Sequence, residues 1–296
     1  MLRPYGILPA MVTPLDAQER VNEAALRRLV RHLLAGGVHG LFVLGSQGEF
    51  YAFTPDEKRR VLEVVLDEVN GRVPVYAHAA AIATRQAVAL ARMMEETGAD
   101  ALALLTPFFV TPSQQELYDH YRAVAEATAL PLILYDNPGR THVRLAPETV
   151  GRLAELPNIV GIKDSGGDLG MTLAYIQATP DDFAVLTGPD ALILAGLVYG
   201  TRGAVSAVAN IAPHLAVAVY ERFQAGDLEG ARQAQARLAA LRRAFRWGTY
   251  PGVTKEALNL LGIEVGPPRR PVGPLSEEAR RRLASLLEEV GVLPTA

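Results

Sequence analysis

Residues Ile159-Val160-Gly161-Ile162-Lys163-Asp164 decide how this chain is read. Three apolar residues and a glycine make a run short enough for a buried strand. A lysine stands at its end, where burial is costly: Lys is almost never fully buried without a partner or a task. The chain also uses lysine sparingly. Of its 29 Lys and Arg residues, only Lys58, Lys163 and Lys255 are lysines. An arginine-preferring chain that keeps a lysine on a core strand has a use for the one property arginine lacks. An amine can shed its proton and attack a carbonyl, whereas a guanidinium stays protonated. Lys163 is therefore a candidate Schiff-base lysine. The alternative is a lysine that lays its stem along the strand and reaches Asp164 or another carboxylate with its head.

Outward from this run, short apolar segments alternate with helical patterns. The strand-like runs are Ile7–Pro14, Gly40–Ser46, Pro74–Ala80, Ala101–Pro107, Pro131–Pro138, Ile159–Ser165, Phe183–Gly188 and Gly203–Asn210. Between and after them lie amphipathic segments over Glu23–Ala35, Pro55–Val69, Thr84–Thr97, Ser113–Ala129, Pro147–Leu156, Asp168–Ala178, Asp190–Tyr199 and Pro213–Ala225. Thr54-Pro55 and Ser113 are start signals, a capping side chain ahead of the first helical turn. Strands that are apolar on both faces, separated by helices, predict a parallel sheet covered by helices. Eight such units predict an α/β fold of the (β/α)8 TIM-barrel type with a C-terminal helical extension. An open dinucleotide-binding sheet would carry a Gly-rich turn after its first strand, and here that strand ends in Thr13-Pro14-Leu15-Asp16. The rhythm stops near residue 226. We read 1–225 as a catalytic barrel and 226–296 as a helical region, with helices near Leu228–Phe245, Thr254–Leu261 and Ser276–Val290 and a stiff connector at Gly266–Pro271.

Composition narrows the classes. The 296 residues carry a formal net charge of −3 and no basic stripe, which speaks against a nucleic-acid partner. The start, Met1–Gly6, lacks the apolar core of an export signal, so a cytoplasmic location is expected. No apolar run reaches the roughly 18 residues of a membrane span. Without cysteine there is no disulfide, no thiolate catalysis and no cysteine–zinc site.

In a barrel the active site lies at the C-terminal ends of the strands. The second strand ends in Gly45-Ser46-Gln47-Gly48-Glu49, where backbone N–H groups can converge on an anion, or simply form a tight turn before a helix. The fifth ends in Tyr135–Thr141. A tyrosine facing the mouth can move protons, and Arg140 can bind a carboxylate bidentately; a core tyrosine and a surface arginine are the plainer reading. The sixth carries Lys163. The eighth, Gly203-Ala204-Val205-Ser206, leaves room at the mouth. Together an anion nest, a tyrosine and a lysine suit a 2-oxo acid.

These motifs, with Thr106-Pro107-Phe108-Phe109, Gly188–Ala191 and Gly266–Pro274, resemble the dihydrodipicolinate synthase / N-acetylneuraminate lyase family of class I, pyruvate-handling aldolases, over nearly the whole chain. The resemblance implies a homotetramer (a dimer of dimers) with no metal and no organic cofactor. It implies Lys163 as the Schiff-base lysine and Tyr135 as the general acid/base. It places Ser46 and the backbone at Gln47 on the pyruvyl carboxylate, a backbone carbonyl at Val205 beside the site, and Arg140 on a second carboxylate. The partners are then a small 2-oxo acid and an aldehyde.

Three departures bear on the reaction. The synthase branch has Thr-Thr where this chain has Ser46-Gln47, and Gln47 has no hydroxyl for a proton relay. Phe109 matches the position of a tyrosine that the relay borrows from a neighbouring subunit. The third strand ends in His78, where the branch has a small Gly-rich turn; His78 is either a polar group at the mouth or a hydrogen-bonded structural histidine. The expected activity is therefore reversible cleavage of a 4-hydroxy-2-oxo acid (4-hydroxy-2-oxoglutarate or 2-keto-3-deoxy sugar acid type) to pyruvate and an aldehyde. The alternatives are 4-hydroxy-tetrahydrodipicolinate synthase, a 2-oxo-3-deoxy-acid dehydratase, and a non-catalytic 2-oxo-acid binding protein. A metal-dependent aldolase would need paired ligands. The histidines (His32, His39, His78, His120, His142 and His214) lack that spacing.

Overall fold

A computed structural model of the chain describes residues 2–293. Eight parallel strands alternate with helices, as the pattern predicts. The strands are β1 (Gly6–Pro9), β2 (Leu41–Val43), β3 (Val75–His78), β4 (Ala101–Leu105), β5 (Leu132–Asp136), β6 (Ile159–Asp164), β7 (Ala184–Thr187) and β8 (Gly203–Ser206). The helices of the barrel are α1 (Glu23–Ala35), α2 (Pro55–Val69), α3 (Thr84–Thr97), α4 (Gln114–Ala125), the single turn α5 (Pro138–Thr141), α6 (Pro147–Ala154), α7 (Leu169–Ala178), α8 (Ile193–Tyr199) and α9 (Pro213–Gln224). Beyond them lie α10 (Leu228–Arg243), α11 (Gly252–Leu260) and α12 (Glu277–Glu289).

Each strand pairs with its neighbours in chain order, and β1 pairs with β8. The seam between β1 and β2 is closed by a single bridge, Ala10 to Phe42, with Met11 N–H donating to the Phe42 carbonyl at 2.9 Å. Every strand residue is buried, because side chains alternate between a filled barrel interior and the helical layer. The interior is tight around Lys163. A Cβ on Gly161, two residues earlier on the same face, would stand 2.5 Å from the Ala184 carbonyl oxygen.

Helix starts follow the caps in the sequence. Thr54 with Glu57 and Ser113 with Glu116 both form reciprocal capping boxes. The helical segment expected from Asp190 begins instead as a 3-10 turn over Asp190–Leu192, and the run Gly203–Asn210 leaves the sheet after Ser206 and ends in another, Val208–Asn210. Asp190 accepts from the Ser206 hydroxyl at 2.5 Å and from Val208 N–H at 3.1 Å, so this bonding bends both segments together. The C-terminal helices share an apolar cluster with Ile7 and Ala204 of the barrel.

On the outer face of β5, Asp136 is wholly buried beside Asp164, its register partner on β6. Burial, then the Asp164 charge, raise its pKa to about 6, against the Leu145 N–H bond at 2.9 Å and Arg144. A raised carboxyl stabilises the fold fully below its ordinary value of 3.8, and that contribution is lost as pH rises through 6. Replacement by Asn removes this titration. Relative to Asp136→Asn, the wild type should lose about 2 kcal/mol of unfolding free energy between pH 4 and 7. Urea denaturation of both proteins across that range measures it; parallel pH profiles would refute the assignment.

Candidate active site

The in-register pairing of β5 and β6 sets Tyr135 opposite Lys163. Side chains directly opposite in adjacent strands share a face, so both project into the mouth of the barrel. The Lys163 ammonium lies 3.9 Å from the centre of the Tyr135 ring and 4.5 Å from that of Phe42. The residue is 4% exposed. Asp164 does not serve it. That carboxylate points to the helical side and accepts from the Thr172 hydroxyl at 2.7 Å and Gly166 N–H at 2.8 Å. The strand alternation thus separates Lys163 from the neighbour that a snorkelling lysine would have used.

Tyr135 is buried, with Asn137 Nδ2 donating to its hydroxyl at 2.9 Å. Burial is the largest influence on this phenol and raises its pKa. The Lys163 charge, with hydrogen bonding to Ser46, Ser165 and Lys163, outweighs burial and holds the pKa below the ordinary tyrosine value. A phenol so placed releases its proton more readily than tyrosine in water. That is the property a proton carrier in a dry site needs.

The loop after β2 is shaped by close approaches. A Cβ on Gly48 would meet the Met11 carbonyl oxygen at 3.0 Å, and one on Gly45 the Phe42 ring at 2.7 Å. Leu44 and Glu49, at its two ends, both take left-handed backbone angles with φ 58°. Among the described residues the Ser46, Gln47 and Gly48 N–H groups have no backbone acceptor, the condition for an anion nest. Ser46 lines the cavity with Tyr135, Lys163, Arg140 and Val205, all sequence candidates. The Gln47 side chain does not. It is fully buried behind the loop, and its amide nitrogen and oxygen find no partner among the described residues.

His78 also lies behind the cavity, 0% exposed and edge-on to Phe50 at 4.7 Å. It is not a group at the mouth; the Leu44 backbone lies within its hydrogen-bonding reach, at poor alignment. Burial, then the Lys163 charge, hold it neutral, well below the ordinary histidine value. Phe109, 95% exposed with φ 73°, points away from this chain's own cavity. Among the described residues no three His, Asp or Glu side chains cluster as metal ligands, and no helix is long and apolar enough to cross a membrane.

The fit extends to relatives. A sequence model of the dihydrodipicolinate synthetase family matches residues 3–290. The chain belongs to this family. Its family relatives include a 4-hydroxy-tetrahydrodipicolinate synthase of Methanopyrus kandleri, 42% identical over 98% of this chain and 97% of that one. An uncharacterized DapA-like lyase of Halobacterium salinarum is 39% identical over 98% and 95%. Among solved structures, dihydrodipicolinate synthase DapA-2 of Bacillus anthracis superposes with a TM-score of 0.95 at 35% identity over the whole of both chains. YagE of Escherichia coli K12, solved in complex with pyruvate, gives 0.94 at 29% identity over 97% and 99%.

Two contributions to this family site were missed in the sequence. The first is Lys255 of α11, 1% exposed, whose ammonium lies 2.6 Å from the Glu49 carboxylate, itself fully buried. Arg269 N–H holds the other Glu49 oxygen at 2.8 Å, and Lys255 also donates to the Pro267 carbonyl at 2.9 Å. This network ties the nest loop to the C-terminal connector. The scarcity of lysine that drew attention to Lys163 applied equally to Lys255. The second is α10. Ala236, Ala239, Ala240 and Arg243 recur at helical spacing and form a wall of the cavity, which is about 870 Å³ in volume. Gln235 fixes the helix there, donating to the Asp190 carbonyl and accepting from Leu194 N–H, each at 2.9 Å.

Two outcomes follow from this geometry. Lys255→Met leaves the Glu49 charge buried without its cation and should lower stability by about 3–5 kcal/mol; adding Glu49→Gln should recover part of it, read by chemical denaturation. A double variant no more stable than the single one would refute the coupling. In Lys163→Met the charge that lowers the Tyr135 pKa is gone while burial remains, so the phenol should ionise at higher pH than in the wild type. Ultraviolet difference titration of tyrosinate follows it, with Tyr135→Phe identifying the signal; an unchanged titration would sink the coupling.

Proposed function

We propose that this family member is a class I, Schiff-base-forming lyase that reversibly cleaves a 4-hydroxy-2-oxo acid to pyruvate and an aldehyde. One observation carries the reading: a buried amine with aromatic faces rather than a carboxylate for neighbours, beside a phenol whose pKa lies below its ordinary value. The substrate carboxylate sits on the Ser46–Gly48 N–H groups and the Ser46 hydroxyl. The amine of Lys163 attacks C2, water leaves, and a protonated imine forms. Tyr135 takes the proton of the 4-hydroxyl. The C3–C4 bond breaks, its electron pair moves into the imine as an enamine, and the aldehyde departs. Tyr135 returns its proton to C3, and water releases pyruvate from the lysine. The imine acts as the electron sink that spares a free carbanion. Arg140, on the exposed turn α5 at the cavity edge, suits a second carboxylate. Phe109 and its neighbour Val110, both exposed, suit a self-association face of a homotetramer.

A second reading, 4-hydroxy-tetrahydrodipicolinate synthase, is supported by the name of the Methanopyrus relative and by Arg140. Against it stand a Gln47 side chain turned out of the cavity and a phenylalanine at 109, neither of which can pass a proton as a hydroxyl does. The two readings differ in product, an acyclic hydroxy acid or a cyclic one.

Borohydride reduction in the presence of pyruvate, followed by peptide mass mapping, tests the imine. A pyruvyl adduct is expected on the Lys163 peptide and absent in Lys163→Ala. A folded wild type with no adduct would overturn the pyruvate-lyase reading.

A further inference from the structure

Asn137 opens the single turn α5, the position from which an asparagine side chain ordinarily accepts a backbone N–H two or three residues on. Among the described residues it makes no such bond. Its amide reaches back along the chain instead, and Nδ2 donates to the Tyr135 hydroxyl at 2.9 Å. The backbone holds it to that course. The Asn137 carbonyl accepts from Arg140 N–H at 2.9 Å, from Thr141 N–H at 3.0 Å and from the Thr141 hydroxyl at 3.2 Å. Pro138, next in the chain, disfavours the helical conformation at Asn137, whose φ is −145°. The residue also lines the cavity. A side chain that forgoes its local cap for a bond to a reacting group, on a backbone pinned to allow it, has its use at that group.

The direction of the bond decides what that use is. An amide N–H donates and has no proton to lend. It occupies a lone pair of the phenol oxygen and leaves the Tyr135 proton for another partner. The other groups around that oxygen are the Ser46 and Ser165 hydroxyls and the Lys163 ammonium. When the phenol ionises, the Asn137 bond becomes charge-assisted, and such bonds are roughly twice as strong as neutral ones. Tyr135 is 3% exposed, so water has little access to take the place of the amide. We infer that Asn137 is a positioning residue for the proton-transfer steps: its amide orients the Tyr135 hydroxyl toward the substrate and stabilises the phenolate that accepts the 4-hydroxyl proton. This rests on the lyase reading above and adds to it the group that holds the acid/base in its reactive form.

Two substitutions of similar volume separate this role from packing. Asn137→Leu removes the donor. Asn137→Asp keeps the shape and sets an anion against the phenolate. Ultraviolet difference titration of the free protein, with Tyr135→Phe identifying the signal, should show tyrosinate forming about 1 pH unit higher in Asn137→Leu, and higher again in Asn137→Asp. With 4-hydroxy-2-oxoglutarate as substrate, kcat near neutral pH should fall about 10-fold in Asn137→Leu, its ascending limb should move up by the same interval, and KM should change little. A Tyr135 titration unmoved in both variants, or moved downward, overturns the assignment. Loss of the folded state in both, read by circular dichroism, also overturns it, because the amide would then be holding the turn rather than the phenol. The borohydride adduct with pyruvate is read in parallel. A wild type without adduct overturns the lyase reading, whereas the tyrosinate titration needs no substrate and still decides the part played by Asn137.

Discussion

The buried ion pair between Glu49 and Lys255 joins two parts of the chain that the barrel rhythm keeps apart. Glu49 closes the nest loop; Lys255 belongs to the second helix after the barrel. Two charges out of water are tolerable only with good geometry and further hydrogen bonds. Here Arg269 N–H and the Pro267 carbonyl supply them. The contact therefore fixes more than itself. It holds a loop with left-handed residues at both ends, and it seats the connector whose Arg269 guanidinium bonds Glu57 at 2.8 Å and the Ala52 carbonyl at 2.6 Å. The region after residue 226 thereby belongs to the architecture of the site as much as the strands do.

Around Lys163 and Tyr135, charge and aromatic faces add to the hydrogen bonds. Lys163 sits on π-faces that favour a cation, with its sequence neighbour Asp164 turned to the other side of the sheet. Its charge in turn eases ionisation of Tyr135 and adds to the burial that keeps His78 neutral. One ammonium thus adjusts two neighbours in opposite senses of usefulness: it readies the phenol and silences the imidazole. The relay positions that differ from the synthase branch lie outside this arrangement. Gln47 is fully buried and does not line the cavity, and Phe109 is exposed on this chain's surface, so within one chain neither side chain touches the lysine–tyrosine pair.

Much of this was legible in the sequence. Eight apolar runs matched eight strands because strands buried on both faces must be continuously apolar, and that requirement is local. The first three helices have the bounds their patterns predicted, since Asn22 and Thr54 cap two of them and Gly98 ends the third with φ 101°. Lys163 and Tyr135 stood out because a polar group at the end of a core strand violates the pattern around it. The two 3-10 turns after β7 and β8 were not legible, because the Asp190–Ser206 bond that shapes them spans 16 residues.

The sequence by itself determined the barrel, the strand ends at which chemistry is possible, and the residue types waiting there, because periodicity and the cost of burying a charge act over a few neighbours. Only the tertiary structure decided which of those residues meet. It packed Gln47 away from the cavity and left Ser46 lining it, gave Lys255 its carboxylate across the fold, and brought α10, with Arg243 at its end, to the cavity wall. Those outcomes depend on contacts between segments tens to hundreds of residues apart, and no local pattern encodes where such segments come together.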